Sequence, residues 1–191
     1  IKLGTSSNYT HVGMVLSNPT FINEDLKGLY LWESVYDGKP DPQDEKIKLG
    51  VKLTPLEQVF NEYKNGHIYL RKIKFNCSNS KLKNFKDLVN NISRRNVFNK
   101  QKLLEIHKVV YDKPYDIVPL DWLEALFNYD SDPQKISRFW CSALLGYIYT
   151  KLGILKKNTD WSKMKPCDFS EDKENLNYTG FCKLDSQIKI L

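Results

Sequence analysis

The chain has 191 residues, of which 41% are hydrophobic and 13% aromatic, which excludes a disordered polymer and suffices for one domain with a substantial core. Its formal net charge is +6, with Lys and Arg crowded between positions 81 and 113. That stretch carries no nucleic-acid motif and reads as a solvated helical face, so no nucleic-acid partner is expected, and no apolar run approaches the ~20 residues of a transmembrane segment.

In chain order, Tyr9-Thr10-His11-Val12-Gly13-Met14-Val15-Leu16 reads as a strand that carries His11, with His11 and Val15 on one face. Residues 1–16 hold Gly, Asn, Ser and His where a signal peptide would have an apolar core, so none is expected. Leu29-Tyr30-Leu31-Trp32-Glu33-Ser34 is a second β-rich run, closed by the turn signal Asp37-Gly38. Residues 39–46, with two prolines and three acids, are expected to form an exposed loop. Val51-Lys52-Leu53 suits a short strand. Thr54-Pro55-Leu56-Glu57 then predicts a helix start, with Thr54 as N-cap and Glu57 closing a capping box, and Asn65-Gly66 ends that helix. Residues 67–75 alternate and predict a strand.

From 81 to 128 the period becomes helical. Leu82, Phe85, Leu88, Val89 and Ile92 share one face, as do Leu103, Leu104, Ile106 and Val110. Pro114 and Pro119 break the pattern, and a short helix is expected after Pro119. Arg138-Phe139-Trp140-Cys141-Ser142-Ala143-Leu144 then opens a helix with Cys141 in its first turn and Gly153 at its end. Cys141, Leu144, Leu145, Ile148 and Leu152 make its inner stripe. A turn-rich stretch around Lys165-Pro166-Cys167 and two short β-prone runs complete the chain.

The chemistry rests on His11, Cys141 and Glu33 taken together. A thiol becomes a useful nucleophile when a helix N-terminus and an imidazolium stabilise its thiolate. A third polar group must hold the other ring nitrogen. If the strands of His11 and Glu33 are antiparallel neighbours, Glu33 falls beside His11 on one face. Each residue alone has an ordinary role, as a structural histidine, a small core thiol or a surface carboxylate. His67 and His107 are the other candidate bases. Cys77, Cys167 and Cys182 do not head helices and lack the argument made for Cys141. The four cysteines contain no C-x-x-C pair and no His at zinc spacing, so neither metal nor cofactor is expected. Their thiols suit a reducing, cytoplasmic compartment. The N-x-S/T triplets at Asn8, Asn76, Asn91 and Asn177 are what chance gives in so Asn-rich a chain.

Three segments resemble the circularly permuted NlpC/P60 group of papain-like proteins, found in bacteria and in large DNA viruses, including poxviruses. They are His11-Val12-Gly13-Met14-Val15, Leu31-Trp32-Glu33 and Cys141-Ser142-Ala143-Leu144, with His ahead of Cys. Lys113-Pro114-Tyr115-Asp116, Lys151-Leu152-Gly153 and Lys165-Pro166-Cys167-Asp168-Phe169 add to the likeness, which spans residues 1 to about 170. Two features depart from the group. Ala143 stands where a Glu usually follows Cys-Ser, and the ten residues given ahead of His11 hold no Gly-Asp pair of the kind the group has on the strand before its His.

The expectation is therefore an α+β chain. The resemblance implies a single permuted NlpC/P60-like domain over residues 1–191, lacking the N-terminal strand, with a small antiparallel, barrel-like sheet packed on the Cys141 helix. It also implies a cysteine hydrolase or acyltransferase acting on an amide, ester or thioester. Cys141 would be the nucleophile, His11 the base and Glu33 the group that orients it. The Cys141 backbone N–H would hold the oxyanion with a second donor. Substrates in such a group are peptides, amides or acyl lipids. The resemblance implies that Tyr115 lines the pocket; core packing is the other reading. The Asn-, Lys- and Ile-rich composition suits an AT-rich, viral genome, which would place the protein in host cytoplasm or virion. The alternative is a catalytically silent binding or structural virion protein that retains the fold.

Overall fold

The computed structural model describes residues 7–75, 97–116 and 136–191. Cys77, the apolar stripe from Leu82 to Ile92 and the helix expected after Pro119 lie outside the described residues. The described chain is mixed α+β, with small antiparallel sheets.

Strands β1 (Met14–Ser17), β2 (Leu29–Val35) and β3 (Gly50–Pro55) form an antiparallel meander in that order. Met14 pairs with Trp32 and Trp32 with Leu53, so one cross-strand row of large side chains faces the core, all of it buried. β1 alternates buried Met14 and Leu16 with exposed Val15 and Ser17, as its sequence pattern requires. β2 differs. Leu31, Trp32, Glu33 and Ser34 are all buried, because helices pack against the strand as well as its two neighbours.

Helix α1 (Leu56–Glu62) follows β3 directly. Its N-cap is Pro55 and no side chain caps it, so the capping box expected from Thr54 and Glu57 does not form. Thr54 is still in β3, paired with Leu31 and buried, so the N-cap position falls to Pro55, which has no side-chain acceptor to offer. Helix α2 (Lys100–Val110) is capped by the Asn99 side chain, which accepts from the Gln101 N–H. It buries Leu103, Ile106 and Val110, the expected stripe, while Leu104 is half-buried.

Helix α3 (Cys141–Leu152) begins at Cys141 and ends at Gly153, whose φ of 79° is the left-handed cap that glycine adopts without strain. More than the expected inner stripe is buried: Ser142, Ala143, Gly146, Tyr147 and Tyr149 are covered as well, so α3 is a central helix. Gly146 allows this. A Cβ there would stand 2.9 Å from Trp161 Cβ and collide with the Met164 sulfur. Trp161 begins a 3-10 turn (Trp161–Lys163), and a second (Pro166–Phe169) contains Cys167.

The barrel-like closure is not seen among the described residues. The strand expected over 67–75 is two short pieces, β4 (Tyr69–Leu70) and β5 (Ile73–Phe75). They pair with C-terminal strands β7 (Ile188–Lys189) and β6 (Cys182–Leu184), giving two separate two-stranded sheets. The outer edge of β3 goes instead to residues 113–115: Val51 N–H donates to Lys113 O at 2.9 Å and Tyr115 N–H to Leu49 O at 3.0 Å. Gly50, at φ 151°, makes room for that backbone, since any Cβ there would strike the Lys113 carbonyl.

The loop over 39–46 is not simply exposed. Asp41 is fully buried, because Lys48 folds inward onto it at 3.0 Å and onto Asp44 at 2.6 Å. Tyr111 OH donates to Asp44 at 2.6 Å, which ties the loop to the end of α2. On β3, fully buried Lys52 spends its ammonium on both Asp37 oxygens, at 2.7 and 2.9 Å, and on the Lys39 carbonyl at 2.9 Å. Removing one partner of such a pair typically destabilises by about 3–5 kcal/mol.

Candidate functional site

His11 does not lie within a strand. The β1 ladder opens at Met14, and His11 stands three positions earlier, where the ring rather than the backbone makes the contact to β2. Gly13 brings the lead-in close: a Cβ there would meet the Leu31 side chain at 2.9 Å and the Trp32 carbonyl at 3.0 Å. Continuing the antiparallel register puts Gly13 opposite Glu33, so His11, two residues earlier, falls on the face of Glu33. His11 Nε2–H donates to the Glu33 carboxylate at 2.5 Å, and the Glu33 side chain is only 6% exposed.

Cys141 is the first residue of α3 and is 2% exposed. Its thiol stands close enough to the His11 ring to act on that ring's protonation. The three residues singled out in the sequence therefore meet, with His11 between Glu33 and Cys141. Burial works against a charged His11 ring. The interactions with Cys141 and then Glu33, with the charges on both, override it and raise the imidazolium pKa from 6.5 to about 10. The His11 side chain, 20% exposed, is the open edge of this cluster.

Tyr115 is half-buried beside the thiol. Its segment bridges to Phe139, two residues before Cys141, and burial followed by the Cys141 charge pushes its phenol up. Asp116 pairs with Arg138 at 3.2 Å across the same junction. Tyr63, just past α1, was not found from sequence. It is exposed, and partial burial followed by the charges of Glu33, Glu62 and Cys141 raises its phenol. Helix α1, which it follows, packs on β2, the strand of Glu33, and no local sequence pattern signals that.

Two buried serines also escaped the sequence reading. Ser34 Oγ donates to Phe139 O and Ser142 Oγ to Met164 O, each at 2.6 Å. The available signal was a hydroxyl next to Glu33 and another next to Cys141, each inside an apolar run.

The other candidates lie elsewhere. His67 is exposed ahead of β4, its ring near Tyr69. His107 is buried in α2 and its Nε2–H donates to Gln43 Oε1 at 2.7 Å; burial lowers its pKa to about 4. Cys167 and Cys182 are buried free thiols, and burial lifts Cys182 to about 11. Among the described residues no three His, Cys, Asp or Glu side chains are grouped to hold a metal ion, and no helix is long and apolar enough to cross a membrane. No protein-family model, curated protein or solved structure matches this chain.

Proposed function

We propose that this chain is a cysteine hydrolase or acyltransferase of the permuted papain-like kind, working through Cys141, His11 and Glu33. The observation that carries the reading is His11, hydrogen-bonded to Glu33, set beside the thiol of Cys141 at the first turn of a buried helix. With Nε2 committed to Glu33, Nδ1 is the ring nitrogen for the thiol. The Cys141 sulfur, its proton already held on the His11 ring, attacks the carbonyl carbon of an amide, ester or thioester. The resulting oxyanion is met by the Cys141 N–H, which at the first helical position has no intrahelical acceptor. His11 protonates the leaving group, and an acyl-thioester remains on Cys141. Water or an acceptor alcohol or amine then attacks that thioester with His11 as base. Glu33 fixes the ring and favours its charged form without taking the proton. Peptide, amide and acyl-lipid substrates all fit this chemistry, with Tyr115 read as lining their pocket.

One observation favours the silent alternative. Cys141 is buried, so a carbonyl reaches it only if a neighbour gives way. Intact-mass spectrometry after incubation with short- and long-chain acyl thioesters and peptide amides separates the two readings. An acyl adduct that maps to Cys141 and disappears in His11→Ala is expected. A reduced Cys141 that takes no acyl group from any of these substrates would overturn the enzyme reading in favour of a binding or structural role.

A further inference from the structure

We propose that Ser34 is a positioning residue for the Cys141–His11 pair, an inference that rests on reading that pair as reactive. Ser34 follows Glu33 on β2 and is fully buried. Strand alternation sends the two side chains to opposite faces, so one strand carries the carboxylate on one side and a hydroxyl donor on the other. The Ser34 hydroxyl donates to the Phe139 carbonyl at 2.6 Å, two residues before Cys141. The same carbonyl accepts the Asp116 N–H at 3.3 Å, and the Phe139 N–H donates to Pro114 O at 3.0 Å. Phe139 thereby joins three pieces: the strand of Glu33, the segment of Tyr115 and the lead into α3.

The start of α3 needs such a tether. Trp140, its N-cap, makes no side-chain capping bond, so local capping does not set where the helix begins. Tertiary bonds do: Ser34 to Phe139 ahead of Cys141, and Ser142 with Trp140 Nε1 to Met164 O around it, at 2.6 and 3.2 Å. A buried hydroxyl beside Trp32 is unfavourable unless bonded, and here it is bonded to the backbone that carries the thiol. The bond sets the distance between the Cys141 sulfur and the His11 ring, on which proton transfer depends steeply.

The test is the rate of iodoacetamide alkylation at Cys141, Cys167 and Cys182, mapped in the same sample near neutral pH. Cys167 and Cys182 are buried thiols outside the junction and report any general loosening. Ser34→Ala is expected to slow Cys141 roughly fivefold and leave the other two unchanged. Ser34→Thr, which keeps the hydroxyl, is expected to react faster at Cys141 than the near-isosteric Ser34→Val. That pair decides the matter if Ser34→Ala does not fold. Equal rates in Thr and Val variants, or acceleration of all three thiols together in Ser34→Ala, would overturn the positioning role. His11→Ala serves as the reference. If it slows Cys141 while Ser34→Ala does not, the positioning role falls and the Cys–His pair stands. If His11→Ala leaves the rate unchanged, both fall.

Discussion

His11 and His107 are both largely covered, and the two regions drive them in opposite directions. Burial pushes each ring toward its neutral form. At the meeting of β2 and α3, His11 has ionisable partners in Cys141 and Glu33, and its pKa rises to about 10. Between α2 and the loop over 39–46, His107 meets the neutral Gln43 amide, while Asp41 and Lys48 act on it with opposite signs; burial wins and the pKa falls to about 4. Burial therefore does not decide a histidine's charge. The charge of the groups it is bonded to does, and a ring held charged beside a thiol is the kind that chemistry uses.

The comparison is broken most severely by removing the ring itself. His11→Ala and Cys141→Ala are each expected to reduce acyl transfer by about a thousandfold or more, since a nucleophile and its base act as a unit. His107→Ala should leave turnover per folded molecule within about twofold. A steady-state rate on whichever thioester or amide acylates Cys141 checks this, and loss of activity in folded His107→Ala would move the base to α2.

The pH dependence of stability sharpens the contrast, because the two signs differ. His107 is depressed, so its contribution is present above its unfolded value of 6.5 and is lost as pH falls through about 4. That loss is on the order of 3 kcal/mol. His11 is raised, so its contribution is full below 6.5 and is lost as pH rises through about 10. Urea unfolding across this range should show His107→Gln shrinking the acid-side loss and His11→Gln shrinking the alkaline-side loss. The same residue shrinking both would deny the difference.

Glu33→Gln is a gentler cut. Glutamine keeps an acceptor for the Nε2–H and removes the charge, so activity should fall by about tenfold, well short of the His11→Ala loss. The His11 titration, followed by NMR, should move down. An unmoved titration would show that the thiol alone holds the ring charged. The smallest effect belongs to His67, exposed and without a charged partner in its ring contact with Tyr69. His67→Ala should change neither turnover nor melting beyond the ±0.5 kcal/mol usual for surface substitutions.

Much of the framework was readable from local pattern alone. The helical period and the closing glycine located α3 between Cys141 and Gly153, the β-rich run located β2, and the antiparallel rule brought Glu33 toward His11. These succeed because helix ends, strand alternation and neighbouring pairs depend on residues close in sequence. Tertiary structure decided the rest. β4 and β5 pair with strands more than a hundred residues downstream, which no local window signals and which leaves no barrel among the described residues. Thr54 lost its capping role to β3, and Asp41 left solvent because Lys48 arrived. Ser34 found its acceptor 105 residues away. Whether each histidine carries charge was settled the same way: the sequence supplies the titratable groups, but their protonation follows from which of them the fold buries side by side.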